Sequence, residues 1–340
     1  MPIQYATMIV ERVVCVKSKT KYLLTEADIE NIFSSLRISD IKSASPLGLG
    51  MFNAVYSVVA DKEYVLKIAP KSDIPVMTYE KNMLKTELYW YDVIKKNTDI
   101  SVPKIYGSDF SHSAVDADWF VMEKIDGVHR NKFSAPDCDN LLETVSIVSK
   151  LHGIKCDRYG YVQNGLYDTW ADAVTAMITN LLSDAERFGK NSRRGKKLLG
   201  YAEKYKDILS SAPCVAVNYD LWDANIICKN TAYGEPLFSI IDPERSMWGD
   251  PVFDFICLEE FIAPLEKKSK SIEHYNRLSD VKIEINRETK IRYAFAQGLM
   301  ALIQETERYY RFRPVDKGWI FDTVSANVMY KSAFKVLSDE

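Results

Sequence analysis

A chain of 340 residues, 47% hydrophobic and 27% charged, has the composition of a globular protein with room for one large domain or two lobes. Its net charge of −3 excludes the basic surface on which non-specific nucleic-acid binding rests. Six scattered cysteines without a C-x-x-C pair, and only four histidines, argue against a zinc site and for reduced thiols in a reducing cytoplasm.

The opening MPIQYATMIVERVVCV has no basic stretch ahead of a long apolar run, so no signal peptide is expected. No segment approaches the ~18 consecutive apolar residues of a membrane span. LLTEADIENIFSSLRI reads as a short helix capped by Thr25, with acidic residues in its first turn. The period then changes, and IKSASPLG, AVYSVVA and EYVLKIAP alternate as strands. GLGMFN turns between the first two, and Asp61-Lys62 between the second pair. TYEKNMLKTELYWYDVIKKN places Leu84, Leu88 and Tyr91 on one helical face. SVPKIYGSDF and ADWFVMEKI read as two further strands, which predicts an antiparallel five-stranded sheet with one inserted helix.

Beyond Gly127 helical periodicity dominates. LLETVSIVSKLHGI and YDTWADAVTAMITNLLSDAERFG are helices ending near Gly153 and Gly189, and KNSRRGKK is expected as a solvated linker. PCVAVNY and LFSIID are short strands with NIICKN between them. From Asp254 onward the chain reads as helical, interrupted by the polar EKKSKSIEHYNRLSDVKIEINRETK. The fold class is therefore α+β, divided at 1–124 and 125–340 into a sheet-containing lobe and a mainly helical one.

Four stretches carry chemistry. In PLGLGMFNAVYSV, Gly48 and Gly50 let backbone N–H groups approach an anion, and Asn53 tolerates positive φ; an ordinary hairpin would carry the same pair. Lys67 sits inside the apolar strand YVLKIAP and either snorkels to solvent on an open sheet face or meets a carboxylate, for which Glu87, or Glu80 on a nearby face, is available. In VNYDLWDANIICKN, Asp220 can accept a hydroxyl proton, and Asn225 offers a neutral oxygen of the kind magnesium prefers. IIDPERSMWGDP adds Asp242 as a second oxygen ligand and Arg245 as a phosphate contact; a lone Asp after an apolar run is more often a turn or cap.

In this order the motifs resemble the aminoglycoside phosphotransferase family, whose wider kin include choline and fructosamine kinases. VNYDLWDANIICKN resembles its H-G-D-x-x-x-x-N loop, IIDPERSMWGDPVFDF its I-D-x-x-x-x-x-x-G-D-P-x-x-D segment, and SVPKIYG, VMEKIDGV and SKLHGI its lobe-junction and helix-end pieces. The resemblance runs from about Gly48 to Asp254 and implies a protein-kinase-like fold of two lobes, with ATP between them. It implies that adenine bonds to backbone around Glu123 and Ile125 with Met122 behind it, and that Lys67 pairs with Glu87. It makes Asp220 the base, Asn225 and Asp242 the Mg2+ ligands, and Asp254 a support for the loop. Asn218 and Tyr219 depart from the family's His and Gly. Asn can still donate and accept hydrogen bonds; the bulk of Tyr219 has no account at this level.

The implied activity is transfer of the ATP γ-phosphate to a hydroxyl of an aminoglycoside-like, amino-sugar or amino-alcohol substrate. A protein kinase is disfavoured, because Trp222 stands where a phosphate-binding lysine would and no A-P-E segment follows Asp242. A catalytically weak or inactive nucleotide-binding module is the alternative, supported by Asn218 but opposed by Lys67, Asp220, Asn225 and Asp242 together. Neither a nucleic-acid nor a membrane partner is expected, and the sequence leaves oligomeric state open. Asp223, Glu259, Glu260, Glu266, Asp168 and Asp172 are carboxylates that could face a cationic acceptor, and Trp170, Trp222 and Trp248 could wall one; solvated faces and core packing explain the same residues.

Overall fold

Thr25 begins helix α1 (Glu26–Ser35) through a reciprocal cap, in which its hydroxyl accepts the Asp28 N–H at 3.2 Å and the Asp28 carboxylate accepts the Thr25 N–H at 2.9 Å. The computed structural model describes residues 20–47, 52–259 and 263–339. The chain divides into two units, one of Met1–Val76, Pro103–Ile125 and Tyr310–Gly318, the other of Met77–Val102, Asp126–Tyr309 and Trp319–Glu340.

In the first unit, β1 (Ser43–Pro46), β2 (Ala54–Val59), β3 (Glu63–Ile68), β4 (Ile105–Asp109) and β5 (Trp119–Glu123) form an antiparallel sheet in the order β1-β2-β3-β5-β4. Hairpin register pairs Val55 with Lys67, and the next strand places Phe120 opposite Lys67 on its other side. Phe33 and Ile32 of α1 pack with Val58, Leu66, Trp119 and Val121, which closes one face of the sheet. That burial removes apolar side chains from water at about 25 cal/mol per Å2 and anchors the sheet that carries Lys67.

The second unit begins with a correction. The helical pattern over 78–97 is split into a single turn at Thr78–Glu80 and helix α2 (Met83–Asn97), because Asn82 adopts φ 58°, a conformation Asn tolerates and most residues do not. Glu80 is spent on the Met77 N–H at 2.8 Å. β6 (Val128–His129), α3 (Asn140–His152) and α4 (Trp170–Glu186) follow, the two helices capped by Asp139 and Thr169.

KNSRRGKK is not a linker. Ser192 accepts the Gly195 N–H at 2.9 Å and starts α5 (Arg193–Lys204), and Arg194 pairs with Glu305 at 3.3 Å and lies over the Tyr330 ring. Its charge run masked an amphipathic helix. A short α6 (Lys206–Ser210) leads to β7 (Val215–Val217), the hairpin β8 (Ile226–Asn230) and β9 (Pro236–Ile240), and β10 (Met247–Gly249). The polar stretch after Glu266 likewise contains a helix, α7 (Ser269–Leu278), which buries Ile272 and Tyr275. Two long helices, α8 (Arg287–Arg311) and α9 (Lys317–Ser338), end the described chain. No described helix is long and apolar enough to cross a membrane.

Two small sheets position the motifs. β6 and β9 flank β8, and β10 pairs antiparallel with β7 so that Met247 lies opposite Val217. The loops after β7 and after β9 are thereby brought together. Trp248 then packs at a tilt against Trp90 with ring centroids 4.9 Å apart, and Trp170 packs edge-on to Phe253 at 4.9 Å, so both are core residues. A Cβ at Gly249 would lie 2.8 Å from the buried Trp170 ring. Gly249→Ala is expected to destabilise the protein by about 1–3 kcal/mol, the usual cost of overpacking a core; a thermal unfolding midpoint equal to wild type would contradict that contact.

Candidate active site

The loop that follows β7 is held from below by Asp254. Its two carboxylate oxygens accept the backbone N–H groups of Asn218 (3.1 Å) and Tyr219 (2.6 Å), and one of them meets His152 Nε2 at 3.0 Å. His152 Nδ1 reaches the Tyr275 hydroxyl at 3.0 Å, and both ring and carboxylate are fully buried. His152 therefore links α3, α7 and the loop. The α3 periodicity placed it on the buried face, but its partners lie more than a hundred residues away and leave no local signal.

The two departures in the loop have physical accounts. The Asn218 side-chain carbonyl accepts the Asp220 N–H at 3.1 Å, so a short amide does the bracing within the loop. Tyr219 sits at φ 62°, the left-handed region where a glycine costs nothing and an L side chain is strained. Its ring is fully buried, 5.4 Å from the Phe253 ring, and its hydroxyl donates to the Ala296 carbonyl at 2.6 Å. Packing and that hydrogen bond offset the backbone strain.

Above this base the carboxylates converge. Asn225 Nδ2 donates to the Asp220 carbonyl (3.0 Å) and to its carboxylate (3.2 Å), leaving the Asn225 side-chain oxygen for a cation. The Ile241 N–H donates to the Asn225 backbone carbonyl at 3.0 Å, which sets Asp242 beside the loop. Asp242, at φ 60°, donates its N–H to the Tyr91 hydroxyl at 2.9 Å, and that hydroxyl donates to Glu87 at 3.1 Å. Glu87, Asp242 and Glu244 bring carboxylate oxygens within 4.8 Å of one another. An all-oxygen set of this kind suits a hard cation such as magnesium and not zinc. Tyr91 and Glu244 had no signature in the sequence: one looked like a helix-face aromatic, the other like the polar filler of a turn.

Arg245 is buried, and it meets carboxylates. Its Nε is 3.9 Å from Asp220 and one terminal nitrogen is 3.3 Å from Glu307 of α8. The Asp220 carboxyl is pushed up to about 7, first by burial and then by the charges of Asp242 and Glu307, against the opposing pull of Arg245 and the Asn225 hydrogen bond. Arg245 thus steadies Asp220, and Glu307 is the partner that sequence reasoning missed.

In the sheet unit, Lys67 is buried, its ammonium 5.9 Å from the Phe120 ring centroid, so it does not snorkel to an open face. Met122 is buried, Glu123 is exposed with its carboxylate accepting the Lys104 N–H at 3.1 Å, Ile125 is half-buried, and Asn53 is buried at the start of β2. Gly48 and Gly50 lie outside the described residues.

Five of the six candidate acceptor carboxylates have partners of their own. Asp223 pairs with Arg130 at 2.6 Å, Glu266 with Lys290 at 2.7 Å and Asp168 with Arg158 at 3.4 Å. Glu259 accepts from Ser271, and Asp172 accepts from Thr169 at the start of α4. Glu260 lies outside the described residues. Trp222 is 37% exposed and, unlike Trp170 and Trp248, is free of the core.

Comparison with known proteins gives one family. The model of the phosphotransferase enzyme family (APH) matches residues 43–265. No curated protein matches. Among solved structures, a protein assigned as an aminoglycoside phosphotransferase from Ralstonia eutropha superposes with a TM-score of 0.60 at 15% identity, over 92% of this chain and 98% of its own. A protein assigned as a fructosamine-3-kinase from Thermobifida fusca gives 0.60 at 15% identity over 89% and 98%. The phosphotransferase APH(2'')-IIa, in a ternary complex with streptomycin and ATP, gives 0.56 at 16% identity over 92% and 99%.

Tyr219 offers a direct test of strain against packing. Tyr219→Gly relieves about 1–2 kcal/mol of left-handed strain but removes a buried ring worth about 3–5 kcal/mol. Packing should win, with a net loss of roughly 2–3 kcal/mol in denaturant unfolding; a more stable variant would show that the ring contributes nothing.

Proposed function

Because the chain belongs to the phosphotransferase enzyme family and is a small-molecule kinase, we propose that it moves the γ-phosphate of ATP to an acceptor hydroxyl with Asp220 as base. One observation carries this reading: Asp220, Asn225 and Asp242 come from two separate loops and are brought side by side, Asn225 buried and the two carboxylates half-buried. A chance set of turns would not place an oxygen ligand, a base and a second oxygen ligand within electrostatic reach of one another.

In the proposed reaction the acceptor oxygen bonds to the γ-phosphorus while the bond to the β-phosphate oxygen breaks and ADP leaves with that electron pair. The hydroxyl proton passes to Asp220. A carboxyl group with a raised proton affinity is a better base at neutral pH than an ordinary aspartate. Arg245 keeps the carboxylate oriented, and Asn225 holds it from the other side. Asn225 and Asp242 would hold Mg2+, with Glu87 and Glu244 close enough to complete an oxygen shell. When bound, the metal supplies neutralisation of phosphate charge. Lys67 is assigned to the phosphates, and the backbone around Glu123 and Ile125, with Met122, to the adenine.

Acceptors considered from family resemblance are aminoglycosides, amino sugars and amino alcohols. The inactive-module reading rests on the absence of the family histidine, and Asn218 already braces Asp220 in its place.

Asp220→Ala should lower kcat by at least about a thousandfold and leave Mg-ATP affinity within a factor of about three, since the base acts mainly in the transition state. Wild-type turnover in that variant, followed by ADP release, would remove Asp220 from the reaction. Asp242→Ala should instead weaken nucleotide binding only when magnesium is present, by about tenfold or more. Calorimetry with and without the metal separates the two roles.

A further inference from the structure

Two cysteines face each other at the foot of β7. After α3 ends at His152, the chain runs antiparallel to the approach to β7, with Lys155 opposite Val215. The Cys156 N–H donates to the Cys214 carbonyl at 3.2 Å, and the Ala216 N–H donates to the Ile154 carbonyl at 2.9 Å. Cys156 therefore stands directly opposite Cys214. Opposed residues of this kind send their side chains to the same face from Cα atoms about 5.5 Å apart. A disulfide spans ~4.4–6.8 Å between Cα atoms, so the backbone is already placed for that bond.

The two thiols are free, and they share one apolar cluster with Trp90, Ala216 and Trp248. Cys156 acts on the Cys214 thiol through a side-chain hydrogen bond, so the sulfurs are near neighbours. Their surroundings differ. Cys214 is buried, its Sγ donates to the Arg158 carbonyl at 3.2 Å, and burial pushes its thiol up to about 12. Cys156 is half-buried beside the exposed Asp157, whose carboxylate its Sγ meets at 3.9 Å. An oxidant in solution therefore reaches Cys156 first, and Cys214 stays protonated and shielded.

We propose that Cys156 and Cys214 form a reversible disulfide, with Cys156 as the entry point, Cys214 as the resolving thiol and a low-molecular-weight disulfide as the oxidant. In the first step Cys156 loses its proton to solvent and its sulfur bonds to one sulfur of the oxidant. The oxidant's S–S bond breaks, and one small thiolate leaves with that electron pair and takes up a proton. In the second step the Cys214 sulfur bonds to Cys156 Sγ, the mixed disulfide breaks, and the departing second thiolate takes the Cys214 proton. Two protein thiols are oxidised and one small disulfide is reduced to two thiols. Adjacency makes the second step intramolecular, which offsets the weak nucleophilicity of a protonated thiol. The cross-link ties the chain after His152 to the strand that leads into Asn218, Tyr219 and Asp220. His152 already holds Asp254, which holds the same loop from below, so the disulfide fastens the base of the loop at a second point.

The test treats the full chain with oxidised glutathione and reads intact mass, disulfide-linked peptides and thermal unfolding. The wild type should lose two hydrogen atoms through a bond mapped to Cys156 and Cys214. Its unfolding midpoint should rise by at least about 3 °C, because the bond closes a long loop, and dithiothreitol should restore both values. Cys214→Ser should stop at a single glutathione adduct on Cys156. Cys156→Ser should carry no adduct on Cys214, and the wild-type map stands by itself if either variant fails to fold. A wild-type chain left unmodified or halted at the adduct would overturn the proposal. So would a bond mapped to other cysteines or between two chains, a midpoint that does not rise, or an adduct on Cys214 in Cys156→Ser.

Discussion

A single buried carboxylate, Asp254, organises the helical unit around its chemistry. A carboxyl group in a protein interior is costly unless its oxygens find donors. Asp254 meets that demand with two consecutive backbone N–H groups of the loop after β7 and the ring of His152. The loop cannot adopt another course without stripping those donors from the buried acid. Because His152 is in turn tied to Tyr275, the position of α7 and the position of the loop are one constraint.

That constraint explains how a tyrosine can occupy the left-handed position of the loop. Two forces act on residue 219: the backbone requires a conformation that disfavours a side chain, and the core beneath offers the side chain a packed place with a carbonyl to bond. The second outweighs the first. Asn218 tells a similar story on a smaller scale. The Asp220 N–H needs an acceptor, and an amide oxygen two residues back reaches it without leaving the loop. The family pattern is thus departed from in letter while the Asp220 N–H still finds its acceptor inside the loop.

Crowding of negative charge is the other theme. Glu87, Asp242 and Glu244 share a small volume, and Asp220 feels Asp242 and Glu307 as well. Arg245 offsets part of this and buries its guanidinium to do so. Burial first, and then the charges of Asp242 and Glu307, raise the proton affinity of Asp220.

Local sequence determined much of this protein. Alternating apolar residues specify the five strands, Thr25 and Thr169 start their helices, and the spacing from Asp220 to Asn225 and on to Asp242 marks the chemistry, because each signal is carried by residues that are neighbours in the chain. Helices in charged stretches were harder to read: KNSRRGKK and the segment after Glu266 look solvated, and their apolar stripes are thin. Only tertiary structure decided that His152 and Asp254 pair, that Glu307 reaches Arg245, that Tyr91 bridges Glu87 to Asp242, and that the described candidate acceptor carboxylates have partners of their own. Those partners are set by how strands and helices stack across long separations, and a one-dimensional pattern holds no record of which distant side chains will share a buried space.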